Sequence, residues 1–276
     1  NDKLDLSQAE AVALVIGARG ERALQAAQKQ LSGELGRRIA RISDGLLDMS
    51  ALVEAYIDFP EDDLPEEDKQ KLADSADALA DDVEKLLATA KYAPLVHDGI
   101  NAVIAGAPNA GKSSLLNALV GDERAIVSAT AGTTRDFISE KLIVGRYAVN
   151  LVDTAGLRET DCEIEAKGVA MAVDRLKRCD IGLLVLDAAA GIPELPHGTE
   201  SVFAPQNTVV VINKCDLPES KPELFEKSFA GFKTVRISCR QNEGLESLRN
   251  TVVGLIEEHC ITASADDVLV GARHAA

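Results

Sequence analysis

Residues 106–113 read Gly106-Ala107-Pro108-Asn109-Ala110-Gly111-Lys112-Ser113 and satisfy G-x-x-x-x-G-K-[ST] at every fixed position. Each fixed type has a chemical reason. The glycines let backbone N–H groups close around phosphate oxygens, and the helix N-terminus behind them favours negative charge. A lysine there reaches the outer phosphates of a nucleoside triphosphate, and the Ser113 hydroxyl is a ligand for Mg²⁺. The motif follows an apolar run at 101–105 and precedes Leu115, Leu116, Ala118 and Leu119, the strand–loop–helix setting it needs. The expected phosphate contacts are Asn109, Ala110, Gly111, Lys112, Ser113 and Ser114.

Three further clusters follow in order. Asp153-Thr154-Ala155-Gly156 closes an apolar run; an acid there approaches Mg²⁺ through water, and the glycine N–H can meet a terminal phosphate. Asn213-Lys214-Cys215-Asp216 follows the apolar run 209–212. A carboxylate at Asp216 accepts from the two donors of guanine, its N1–H and exocyclic amine, which adenine lacks. A site built for that pair rejects a base without it, so the nucleotide is GTP. Ser238-Cys239-Arg240 fits a loop that closes over the base with a backbone N–H. Between the first two clusters lies Gly132-Thr133-Thr134-Arg135-Asp136, where Thr134, with Thr133 next, can complete the Mg²⁺ shell and sense the terminal phosphate. Leu157 stands where a water-orienting Gln is found in small GTPases. Arg135 and Arg158 are the candidates for a built-in cationic finger, although exposed arginines are usually just solvated.

These clusters need an α/β scaffold. Short β-branched runs at 101–105, 141–144, 149–153, 181–187, 208–213 and 233–238 alternate with helical stretches, which predicts a mostly parallel sheet covered by helices on both faces. The second and third runs are too close for a crossover and should form an antiparallel hairpin. A last helix is expected over 244–259. Before residue 97 the chain reads as helix. Ser7 and Glu10 form a capping pattern ahead of the apolar run 11–16. Residues 21–56 then keep helical periodicity without proline, weakened at Gly33, Gly36 and Gly45, and stop at Asp58-Phe59-Pro60. A second long helix runs from about 66 to 92 and ends at Pro94. The organisation expected from these elements is a helical first part, 1–96, a P-loop GTPase domain, 97–260, and a short closing segment, 261–276.

Bulk properties narrow the class. A chain of 276 residues suggests two domains at roughly 150 residues each. The formal charge of -16 repels phosphate backbones, so this chain does not supply the main grip on a nucleic acid. The acidic run 61–68 reads as a solvated loop and helix start rather than a cation site. Five cysteines without a C-x-x-C pair fit neither a disulfide framework nor zinc and point to a reducing, cytoplasmic compartment. No apolar run nears the ~20 residues that span a bilayer, and no membrane partner is expected.

Residues 108–117 (P-N-A-G-K-S-S-L-L-N) and 132–136 (G-T-T-R-D) resemble the translation-factor-related GTPases. Residues 3–12 (K-L-D-L-S-Q-A-E-A-V), 53–61 (V-E-A-Y-I-D-F-P-E), 153–159 (D-T-A-G-L-R-E) and 165–168 (E-A-K-G) resemble, within that group, the tRNA-modification GTPases of the MnmE family. The resemblance covers essentially the whole chain. It implies an all-α domain split by the GTPase domain and pairing of two GTPase domains. It also implies K⁺ stimulation with Asn109 as a K⁺ ligand, and Glu165 orienting the attacking water. Catalysis would then rest on Glu165, Lys112 and Thr134. It further implies a flavoprotein partner of the MnmG type, modification of the tRNA wobble uridine, and a folate-derived one-carbon unit bound by a domain expected before Asn1; a terminal Cys motif is expected after Ala276. The competing classes are a ribosome-assembly GTPase, which would carry a basic RNA-binding module, and a GTP-gated helical switch.

Overall fold

The structure is a computed structural model that describes residues 5–58, 66–121, 139–153, 179–192, 203–262 and 269–270. The chain divides into two compact units, one formed by Asn1–His97 with Ala263–Ala276 and one by Asp98–Thr262.

The helical unit opens with α1 (Leu6–Gly17). Its cap is not the Ser7–Glu10 pair. Asp5 accepts from the Gln8 N–H at 2.7 Å, and the Gln8 side chain accepts from the Asp5 N–H at 3.0 Å, the reciprocal arrangement of a capping box. Ser7 lies buried inside the first turn, its hydroxyl turned back onto Asp5 at 2.7 Å and its carbonyl accepting from Gln30. The long helix expected over 21–56 is two helices, α2 (Glu21–Leu31) and α3 (Glu34–Asp58). Gly33 breaks it with φ +76°, a left-handed conformation that favours glycine. Gly36 and Gly45 stay helical. At Gly45 the missing Cβ lets α3 lie close against α4 (Glu66–Ala90): a methyl there would come within 3.0 Å of Leu79. Pro94 does not end α4, which stops four residues earlier; it sits in the first turn of α5 (Ala93–His97), where its missing N–H costs nothing. Leu35, Leu86 and Val270 form a small core with Ile42 and Ala90. The Val270 N–H donates to Thr89 at 3.2 Å, which ties the returning chain to α4.

The α/β unit is a six-stranded sheet. Its strands are β1 (Ile100–Gly106), β2 (Ser139–Val144), β3 (Tyr147–Asp153), β4 (Ile181–Asp187), β5 (Thr208–Asn213) and β6 (Lys233–Arg236), in the order β2-β3-β1-β4-β5-β6. All neighbours are parallel except β2 and β3, which form the expected antiparallel hairpin. The central strands β4 and β5 are buried and apolar except at their ends, where Asp187, Thr208 and Asn213 stand, as a sheet covered on both faces requires. Among the described residues, it is flanked by α6 (Lys112–Gly121), α7 (Pro222–Ser228), α8 (Leu245–Leu255) and a π-helical turn at Ile256–Cys260. On one face Leu184, Leu186, Val210, Ile212 and Phe225 pack together. Each such side chain contributes about 2 kcal/mol on leaving water, so this packing holds α7 against β4 and β5.

Candidate nucleotide-binding site

The phosphate loop leaves β1 where the chain first passes to β3 on one side and later returns to β4 on the other. Ligands of open α/β sheets bind in that crevice, beyond the carboxyl ends of the strands. Backbone conformation builds the loop. Gly106 has φ +150°, and a Cβ there would overlap the Val185 carbonyl oxygen. Gly111 has φ +99°, and a Cβ there would overlap the Asn213 amide. Asn109 is also left-handed, at φ +61°, and stands exposed at the loop tip. Lys112 is buried, its ammonium donating to the Gly106 and Ala107 carbonyls at 3.0 and 2.7 Å. Ser113 and Ser114 follow it, exposed in the first turn of α6, whose N-terminus and dipole face the loop.

Side chains build the opposite wall. Asn213 is 2% exposed and bridges two loops. Its amide donates to the Ala110 carbonyl at 3.0 Å, and its oxygen accepts from the Cys239 N–H at 3.2 Å. One buried residue at the end of β5 therefore fixes the phosphate loop and the 238–240 loop relative to each other. Lys214 turns back with φ +62°, a conformation that costs a non-glycine residue about 1–3 kcal/mol. Its ammonium pairs with Asp187 at 2.6 Å. Ser238 is buried; its hydroxyl accepts from the Gln241 N–H at 3.1 Å. Burial pushes the Cys239 thiol up to about 11, with the nearby Asp216 carboxylate acting in the same direction. Between these walls lies a cleft of about 430 Å³ lined by Gly111, Ser114, Asn213, Lys214, Asp216, Leu217, Cys239 and Arg240.

A family model described as the MnmE helical domain matches residues 6–276. The chain belongs to the MnmE family. It is 44% identical over 274 residues to the tRNA modification GTPase MnmE of Opitutus terrae, an alignment that spans 99% of this chain and 60% of that protein. The tRNA modification GTPase MnmE of Aquifex aeolicus is 42% identical over 253 residues, 92% of this chain and 56% of its own. The chain thus spans about three-fifths of the length of the relatives it matches. Among solved structures, the G domain of the T. maritima FeoB iron transporter aligns with 56% of this chain and 98% of its own length, at 24% identity and a TM-score of 0.40.

Within this MnmE-family chain, seven of the residues expected at the site line one cleft: Gly111, Ser114, Asn213, Lys214, Asp216, Cys239 and Arg240. Ala110, Lys112 and Ser238 are buried and do not line it. Asp153 closes β3 in register with Ile104 on β1, which places its backbone on the strand beside the one that carries the loop. Thr133, Thr134, Gly156 and Glu165 lie outside the described residues, as do Arg135, Leu157 and Arg158. One residue was missed by sequence reasoning, Asp187. Its only signal was an acid closing an otherwise apolar strand. Its partner becomes visible only through the β4–β5 register, which sets Asp187 beside Asn213. No helix among the described residues is long and apolar enough to cross a membrane.

Proposed function

We propose that this chain binds GTP and hydrolyses it to GDP and phosphate, as the GTPase part of a protein that modifies the wobble uridine of tRNA. The supporting observation is the Asn213 bridge, which holds the phosphate loop and the 238–240 loop around a cleft that also contains Asp216. In this reading Asp216 takes the two guanine donors and the Cys239 backbone N–H takes the guanine oxygen. The loop N–H groups and the start of α6 hold the phosphates. The Lys112 ammonium, already inside the loop, moves onto the outer phosphates and offsets the charge that grows on the leaving oxygen. Mg²⁺ would be held by the exposed Ser113 hydroxyl, with Asp153 and Thr134 as the further candidate ligands, and would supply charge neutralisation at the phosphates. Thr133 and Gly156 are the further candidates for contact with the terminal phosphate. Glu165 orients the attacking water.

The finer reading completes this picture. Asn109, at the exposed loop tip, would hold K⁺, which would supply positive charge where other GTPases use an arginine, and two such units would pair across their nucleotide faces. A flavoprotein of the MnmG type is the partner, and tRNA is met through that complex in the cytoplasm. The test is GTP turnover by the purified chain against protein concentration, in KCl and in NaCl at equal ionic strength. A rate per chain that rises with concentration in KCl alone is expected. Equal rates in the two salts would remove the role of Asn109, and no turnover in either would remove the reading itself. Glu165→Ala should keep nucleotide affinity and lose turnover; surviving turnover would show that another group positions the water.

A further inference from the structure

We infer that Asp187 is a positioning residue of the guanine site, acting through Lys214; the inference rests on the guanine-nucleotide reading above. Asp187 closes β4 directly beside Asn213 of β5. Its carboxylate is oriented twice. One oxygen accepts from the Ala189 N–H at 3.0 Å, which folds the chain into a tight turn after the strand, and the other accepts from the Lys214 ammonium at 2.6 Å. The two side chains are 20% and 33% exposed. A charge-assisted bond this short and this sheltered is stronger than a surface ion pair.

The pair matters because of what Lys214 is. It lines the cleft next to Asp216, and its backbone is left-handed. A strained backbone persists where the surroundings over-determine it. On the backbone side the Cys215 N–H donates to the Ile237 carbonyl at 3.1 Å and the Leu217 N–H to the Lys214 carbonyl at 3.2 Å; on the side-chain side the fixed point is Asp187. With the ammonium tethered to β4, the aliphatic stem of Lys214 is held as a wall of the base cleft, and Asp216 is presented from a turn that cannot relax. Asn213 and Asp187, neighbours at the edge of the sheet, thus divide the task. Asn213 fastens the two loops, and Asp187 fastens the residue between Asn213 and Asp216 that carries the strain.

The experiment is a fluorescence titration of the whole chain with a methylanthraniloyl-labelled GDP in Mg²⁺ buffer. The proteins are wild type, Asp187→Asn, Asp187→Glu, Lys214→Ala and the Asp187→Asn/Lys214→Ala pair. Asp187→Asn keeps the shape and the Ala189 acceptor but loses the charge, and should weaken binding about tenfold. Asp187→Glu keeps the charge on a longer arm and should bind more tightly than Asp187→Asn. A purely structural role predicts the reverse order, because Asn is the closer fit. The pair should bind no more weakly than Lys214→Ala alone. Wild-type affinity in Asp187→Asn, a reversed order, or additive losses in the pair would each overturn the inference. If Asp187→Asn fails to fold, Asp187→Ser, which also keeps an acceptor for the turn, replaces it with the same expectations. Asp216→Asn with labelled GDP and xanthosine diphosphate is the control: if it does not shift preference toward xanthine, the guanine reading fails, and if it does while Asp187→Asn is silent, only the role of Asp187 fails.

Discussion

The two sides of the nucleotide cleft are held by different means. The phosphate side is shaped by backbone: Gly106, Asn109 and Gly111 all have positive φ, and two of the three tolerate no Cβ. The base side is shaped by side chains: Asn213 reaches two loops, Asp187 holds Lys214, and Ser238 closes its own turn. The difference follows from what each side must recognise. Phosphates of every nucleotide are alike, so a fixed array of N–H groups suffices. A base is told apart by its donors and acceptors, which needs a particular carboxylate in a particular place. A substitution that changes backbone geometry should therefore disable the first side, and one that shortens a side chain should disable the second.

The largest effect is expected at Gly106. Gly106→Ala places a methyl on the Val185 carbonyl oxygen in a conformation reserved for glycine. Strain of about 3 kcal/mol or more should remove measurable GTP binding in a titration and lower the melting temperature together. A variant that binds GTP normally would show that the loop is less committed to this shape than its contacts imply. Next comes Asp216→Asn, which replaces an acceptor pair by one acceptor and one donor. GTP affinity should fall on the order of 100-fold or more, with xanthosine triphosphate gaining. Unchanged preference would remove the base from this wall of the cleft.

Asn213→Ala ranks third and joins the two sides. It strands the Ala110 carbonyl and the Cys239 N–H, which Asn213 now satisfies in a buried position. At about 1–3 kcal/mol for a buried group left unpaired, GTP affinity should fall about 30-fold, and both loops should exchange amide hydrogens faster. Faster exchange in one loop only would show that the bridge serves one side.

The uneven legibility of the site has the same origin. Gly106, Gly111 and Lys112 could be read because a phosphate loop is local: strand, turn and helix are contiguous, and the backbone demands glycine at fixed spacing. Asn213 and Asp216 could be read for the same reason. Asp187 could not, because its meaning depends on which strand lies beside β4. The caps of the helical unit show a subtler failure. Asp5-Leu6-Ser7-Gln8 and Ser7-Gln8-Ala9-Glu10 both satisfy the capping pattern. Tertiary structure decides between them, since Ser7 is buried and its carbonyl is taken by Gln30 of α2. The break at Gly33 is not legible in the sequence, because Gly33, Gly36 and Gly45 look equivalent there, although only Gly33 has a positive φ.

The smallest effect tests how sheltered the base side is. Cys239 lines the cleft, yet burial raises its thiol from an ordinary value of 9.0 to about 11, against a lowering backbone hydrogen bond, and the Asp216 carboxylate adds to the rise. The folded chain therefore keeps a proton that the unfolded chain releases above about pH 9. The stability that this adds is fully present below pH 9 and is lost as pH rises through 11. Alkylation with iodoacetamide, resolved by peptide mass spectrometry across pH 8 to about 11.5, reads the thiolate at this one position. The rate at Cys239 should rise with a midpoint near 11 and stay low at pH 8. Asp216→Asn should move the midpoint downward, because it removes one of the charges that hold the proton in place. A midpoint near 9 in the wild type would mean that water reaches the base wall as freely as it reaches the exposed tip of the phosphate loop at Asn109.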